Sequence, residues 1–393
     1  MTKKIRVTLL IVGVFLVVAI FFGGSIVLSK SNNISYSIRS ATTEFDEDPV
    51  EEVFIATHID TPEPLKALYM TSWVGGTSDL RNNLVRLVKE TELNSIIIDI
   101  KDYSGAISFH VDNDLINQIG ATENRIPDIR EFIEFLHKND IYVIGRITVF
   151  QDPIYANKYP NQAVQKESDK TVWKDYKKLS FVDVGAKPFW EYIVEISKES
   201  YNNGFDELNF DYIRFPSDGN MKDIYYPISE ERVITDPEFG KTNAINDFFV
   251  YLNKSLRDTD VVTSADLFGM TTTNSDDLNI GQVLERIAPH FDYIAPMVYP
   301  SHYPNGFIGI ANPATKPYEV VKYSMDKGVM RMKAASTTPL KLRPWLQDFD
   351  YGAVYTPELV RAQIEAVYDA GLTSWMLWDA SNTYTKEALN PSS

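Results

Sequence analysis

The sequence predicts an α/β protein, a single (β/α)8 barrel of the TIM type that follows an N-terminal transmembrane helix and a polar linker. Three observations predict it. From residue 65 onward, short apolar runs alternate with helix-period segments eight times over about 320 residues, a rhythm that suits a closed parallel barrel better than an open doubly wound sheet. One of those runs, residues 206–216, alternates polar and apolar side chains and sets Glu207, Asn209 and Asp211 in a row on one face. Ahead of all this, Lys3, Lys4 and Arg6 precede an uncharged apolar stretch over residues 7–28.

That apolar stretch spans ~20 residues, enough to cross the hydrocarbon core as a helix. Its length and the lack of an A-x-A cleavage site favour a signal anchor over a cleaved secretory signal. The positive flank would stay cytoplasmic, which puts the barrel on the extracellular side of the cell membrane. Residues 29–64 carry Glu44, Asp46, Glu47, Asp48, Glu51 and Glu52 with no sustained periodicity, so they read as an acidic linker. The domains expected are therefore an anchor over 1–28, a linker over 29–64 and a barrel over 65–393.

The strands expected are residues 67–73, 95–101, 141–150, 207–215, 261–268, 293–299, 342–346 and 374–378. Helices are expected over 78–90, 127–138, 188–201, 243–257, 281–288, 317–327 and 357–370, several opened by proline and two followed by Gly204 and Gly371. After the first strand, Trp73-Val74-Gly75-Gly76-Thr77 does not match the glycine-rich dinucleotide loop of open sheets.

Composition removes several chemistries. A net charge of −16 opposes a nucleic-acid partner, because phosphate binding needs a basic surface. The chain has no cysteine, so disulfides, thiolate metal sites and a cysteine nucleophile are out. Five histidines without H-x-H or H-E-x-x-H spacing give little support to a histidine metal site, and no cofactor is expected.

In a barrel of this kind the chemistry sits where strands end. The expected strand ends carry Trp73; Asp99, Lys101 and Asp102; Arg146 and Asp152; Asp211 and Arg214; Asp266; Tyr299; Trp345 and Asp348; and Trp378, Asp379 and Asn382. Carboxylates do acid and base work on acetals, aromatic faces stack on sugar rings, and amides and cations bind hydroxyls.

Trp73-Val74-Gly75-Gly76, Asp99-Ile100-Lys101-Asp102, residues 145–150, residues 206–216, residues 264–269 and residues 378–382 together resemble the bacterial family known as the "putative glycosyl hydrolase domain". That resemblance spans residues 65 to about 384 and implies a place among the TIM-barrel glycoside hydrolases, near the α-amylase-like and chitinase-like barrels. Two positions depart from the family pattern: Asn209 stands where Gln is frequent and Asp379 where Asn is frequent.

The function expected is a membrane-anchored extracellular glycoside hydrolase acting on a polysaccharide or oligosaccharide. Asp211 is the expected nucleophile or base and Asp266 the expected acid, because adjacent strands about 4.8 Å apart let their side chains flank one bond. Trp73, Asp99, Lys101, Asp102, Arg146, Arg214, Tyr299, Trp345, Trp378 and Asp379 are the expected substrate-binding residues, with Glu207 and Asn209 deeper in the barrel and supporting Asp211. Two alternatives stand beside this: a carbohydrate-binding barrel without turnover, and a divalent-metal hydrolase using Asp99, Asp102, Asp211 and Asp266 as oxygen ligands.

Overall fold

The computed structural model describes residues 54–392. Eight parallel strands close into a barrel in sequence order: β1 Lys66–Met70, β2 Ser95–Lys101, β3 Tyr142–Thr148, β4 Glu207–Asp211, β5 Val262–Phe268, β6 Tyr293–Met297, β7 Trp345–Gln347 and β8 Trp375–Trp378. All eight apolar runs become strands because each is short and must be covered on both faces, inside by its neighbours and outside by helices.

A helix returns the chain in each connection: α1 Ser78–Glu90, α2 Ile129–His137, α3 Lys187–Asn202, α4 Gly240–Leu256, α5 Leu284–Ile287, α6 Pro317–Ala334 and α7 Pro357–Asp369. Proline occupies the first turn of α3, α6 and α7, where its missing N–H has no helical acceptor to lose. Gly204 and Gly371 follow α3 and α7 with φ of 106° and 81°, a left-handed turn that a side chain would strain.

The period-two pattern sorts the strand residues. Ala67, Tyr69, Ile97, Tyr142, Ile144, Ala295, Tyr299, Trp345 and Met376 pack together as the barrel interior. The intervening residues, such as Leu68, Ile96, Ile98, Val143, Leu208 and Phe210, join the larger cluster between barrel and helices. β4 stops at Asp211, four residues earlier than expected, because Tyr212 takes a φ of 52° and turns the chain out of the sheet.

Two long insertions wall one side of the barrel mouth. The segment after β3 and the segment after β4 are pinned together by a Gln165–Tyr225 bridge, by the Trp173 indole donating to the Asn220 carbonyl, and by Asp183 accepting from the Ile228 and Ser229 amides.

The anchored architecture needs correction. Among the described residues no helix is long and apolar enough to cross a membrane. The longest, α6, has 18 residues of which Glu319, Lys322, Asp326, Lys327, Arg331 and Lys333 are charged. The described residues form a closed barrel with no membrane-crossing helix among them, so the expectation of an anchored architecture with a membrane partner and a cell-membrane location is corrected to that of the barrel alone. The apolar stretch over residues 7–28 lies outside the described residues, as does the acidic cluster of the linker up to residue 53. Residues 54–64, read from the sequence as linker, run across the barrel floor. The Ile59 amide donates to Asp206, Thr61 meets the Tyr142 hydroxyl at 3.0 Å, Glu63 approaches Arg343 at 3.4 Å, and the His58 ring stacks on Tyr201.

Candidate active site

Arg146 is the centre of the barrel mouth. β2, β3 and β4 align Asp99 with Arg146 and Arg146 with Asn209, so inward-facing side chains of neighbouring strands meet at one level. The Arg146 guanidinium donates to Asp99 Oδ1 at 2.7 Å and to Asp211 Oδ2 at 2.5 Å from Nη2 and 3.2 Å from Nε. Its Nε also lies 3.9 Å from Asp266 Oδ2. Burial opposes the Arg146 charge, but Asp211 and Asp99 outweigh that and hold the guanidinium well above its ordinary value.

The two expected catalytic carboxylates stand in contrasting surroundings. Asp211 is an ion-pair partner of Arg146 and accepts the Tyr212 amide at 2.6 Å. Asp266, on the next strand, is 1% exposed; its Oδ1 accepts from the Asn209 amide at 2.9 Å and the Trp345 indole at 2.7 Å. Burial, followed by the negative charge of Asp211, pushes the Asp266 carboxyl well above the usual carboxylate range. A proton is therefore held on Asp266 under conditions where an exposed aspartate has lost it.

Two cavities open from this centre. The inner one, about 300 Å³, is lined by Asp211 and Asp266 together with Tyr299, His302, Lys177 and Met297. The outer one, about 520 Å³, is lined by Tyr69, Tyr103, Gln151, Asp175 and Phe181 among others. Arg146, Lys177, Tyr212, Arg214 and Trp378 line both, so the two form one cleft. Trp378 lies across the cleft wall, stacked on Tyr69 at 3.9 Å and edge-on to Trp345 at 5.5 Å.

The other expected binding residues divide. Arg214, Tyr299 and Trp378 line the cleft, whereas Asp99 sits beneath it and accepts from Tyr69 at 2.5 Å, its carboxyl raised by burial. Trp345 is wholly buried and holds Asp266. Lys101 leaves the interior because a bulge after Asp99 shifts its pairing to the outward-facing Ile147, and it reaches Asp152 at 3.0 Å behind the barrel wall. Asp102 pairs with Arg125, and Trp73, 64% exposed, lies against the same Arg125 at the rim. Asp379 accepts from the Ser381 amide and hydroxyl and the Thr383 amide, which shapes the loop after β8. Asn209 supports Asp266 where the sequence suggested Asp211, and Glu207 belongs to the floor, paired with Arg343 at 2.9 Å.

Sequence reasoning missed Tyr69, Lys177 and Tyr212. Tyr69 shares the inward face of β1 with Ala67, so its alternation signals it. Lys177 lies in the irregular insertion after β3, where no periodicity marks it. The metal-hydrolase alternative fails on geometry. Asp99, Asp211 and Asp266 converge on the Arg146 guanidinium, which occupies the place a cation would need, while Asp102 is turned away to Arg125.

A closed parallel barrel whose mouth gathers buried carboxylates and an aromatic wall defines the class: a TIM-type (β/α)8 barrel with a carboxylate-lined cleft at the C-terminal ends of its strands. Residues 67–384 match the family described as "Putative glycosyl hydrolase domain", and the chain belongs to that family. A hypothetical protein from Ruminiclostridium thermocellum ATCC 27405 is 33% identical over 51% of this chain and 96% of that one, with a TM-score of 0.45. The PgaB (BpsB) glycoside hydrolase domain from Bordetella bronchiseptica is similar in fold, with a TM-score of 0.57, 14% identity, and coverage of 84% of this chain and 100% of that one. No curated protein matches.

Proposed function

We propose that the cleft hydrolyses glycosidic bonds with Asp266 as acid and Asp211 as nucleophile or base. One observation carries this reading: two carboxylates on adjacent strands line the same cavity in opposite electrostatic settings, one ion-paired and one buried and raised. Asp266 gives its proton to the glycosidic oxygen as the C–O bond breaks. Asp211 either bonds to the anomeric carbon or takes a proton from the water that does so. Arg146 fixes the Asp211 carboxylate, and Trp378 offers a face for a sugar ring.

Both reacting oxygens lie within 3.9 Å of Arg146 Nε, so they are at most about 7 Å apart. That bound includes the roughly 5 to 5.5 Å of retention and the lower end of the roughly 6.5 to 9.5 Å of inversion. The test is a screen of the chain from residue 51 against wall and storage polysaccharides, with NMR of the product anomer for any substrate found. Saccharide binding in the cleft without turnover across the panel would replace this reading with that of a binding barrel.

A further inference from the structure

We propose that the inner cavity recognises an anionic substituent on the glycan, a carboxylate or a phosphate carried by the sugar beside the cleaved bond, through Lys177 and Arg214. The inference rests on the glycosidase reading of the same cleft and narrows its substrate class.

The charge balance of the cavity carries it. The carboxylates lining the inner cavity are Asp211 and Asp266. Asp211 is paired with Arg146, which also holds Asp99 beneath the cavity with its carboxyl raised by burial, and Asp266 is buried with its carboxyl raised. Lys177 and Arg214 line the same space, and among the described residues neither has a carboxylate within ion-pair distance. Arg214 uses only Nη1, donating to the Phe215 carbonyl and the Ser217 hydroxyl, and rests 5.1 Å from the Tyr212 ring centre. Lys177 also acts on His302, whose imidazole is pushed below its ordinary value by burial and then by that ammonium, which favours the uncharged ring.

In a chain of net charge −16, two unmatched cations facing one cavity are out of keeping with the average surface. A general anion is repelled by such a protein, and a local positive focus is what would draw one in. The outer part of the cleft does not share this balance, since Asp175 and Asp218 line it together with the cations. The anion is therefore assigned to the inner end, between Tyr212 and His302. A guanidinium takes carboxylate and phosphate alike through paired N–H donors, so the two sources share one chemistry.

The test uses the full chain carrying Asp266→Asn, which removes the proposed acid so that ligands are not consumed and leaves the Arg146–Asp211 pair in place. Calorimetry compares a uronic-acid oligosaccharide, the same oligosaccharide with its carboxyls reduced to alcohols, and that reduced oligosaccharide with the new alcohols phosphorylated. The expected result is that one anionic ligand binds about tenfold more tightly than the reduced one, and that added Lys177→Gln and Arg214→Gln substitutions remove most of that preference. The preference should also shrink as salt rises toward about 1 M. Which anionic ligand wins identifies carboxylate or phosphate as the source. Equal binding of charged and reduced saccharides overturns the anion site and leaves the glycosidase reading intact. Saccharide binding in no arm, combined with no turnover by the unsubstituted chain, overturns both. Lys177 is exposed and Arg214 half-buried, and a thermal melt of each variant checks that lost preference is not lost fold.

Discussion

Nη2 of Arg146 lies 2.5 Å from Oδ2 of Asp211, and the same guanidinium bonds Asp99 at 2.7 Å. One buried cation thus serves carboxylates from β2 and β4, with Asp266 of β5 just beyond hydrogen-bond reach. Deleting it leaves buried carboxylates with no counter-charge, the costly half of a broken ion pair. Arg146→Ala should lower unfolding free energy by about 3 to 5 kcal/mol in urea denaturation. Arg146→Lys keeps the charge without the fork and should fall between the two. An alanine variant within about 1 kcal/mol of the parent would mean that the cluster does not depend on this pairing.

The contrast between Asp211 and Asp266 predicts how activity fails. Asp211→Asn and Asp266→Asn preserve side-chain volume, and in the second the remaining oxygen still accepts from Asn209 and Trp345. Each should fold and lower kcat by at least ~10²-fold on an identified substrate, the low end of what one proton-transfer group supplies. The parent should lose activity on the alkaline side as Asp266 gives up its proton, since burial and Asp211 hold that proton above the usual range. Parent-like turnover in both variants would end the assignment of the pair.

The barrel was legible because its signals are local and repeated. Each strand is an apolar run between turn signals, and Pro317, Pro357, Gly204 and Gly371 mark helix ends for reasons internal to their own turns. The site was legible only in part. Asp211, Asp266, Arg214, Tyr299 and Trp378 follow from lying near strand ends, a rule that assumes strict alternation. A bulge breaks that assumption at Lys101, and the left-handed Tyr212 ends β4 early. Neither has a pattern in the sequence, because an aromatic residue at positive φ is held there by surrounding structure and not by its own preference. Lys177 reaches the cleft only because the insertions after β3 and β4 interlock, a long-range fact.

Asp348 offers a pH dependence separable from catalysis. It accepts from the Thr385 hydroxyl at 2.6 Å and the Thr385 amide at 2.9 Å, and burial pushes its carboxyl up to about 6. A carboxyl whose folded value is raised keeps a proton that the unfolded chain has lost. Its stabilising contribution is therefore full below about pH 4 and declines as pH rises to about 6. Asn at this position carries no such proton and its amide can meet Thr385 with one acceptor and one donor. The stability of Asp348→Asn relative to the parent should increase between pH 4 and 7 by up to about 3 kcal/mol, read by chemical denaturation at each pH. A difference independent of pH would show that Asp348 is not the titrating group.

The barrel floor makes the last prediction, and it concerns where the folding unit begins. The sequence places the boundary at residue 65, yet the segment before it supplies bonds that buried groups of the floor use. The Ile59 amide and His137 both reach Asp206, which also takes the Val143 amide, and Glu63 approaches an Arg343 already bound to Glu207. A chain starting at residue 54 keeps these partners and should unfold in one cooperative transition. One starting at residue 65 loses the Ile59, Thr61 and Glu63 contacts and should be less stable by about 1 to 3 kcal/mol, since it leaves buried acceptors and part of a buried cation unmatched. The loss should fall on stability and leave kcat on an identified substrate nearly unchanged, because the floor lies at the opposite end of the strands from the cleft. Asp206→Asn should behave the same way. If the shorter chain melts at the same temperature as the longer one, residues 54–64 only lie against the barrel; if it loses turnover while keeping its melting temperature, the floor is coupled to the site and the separation of the two ends is wrong.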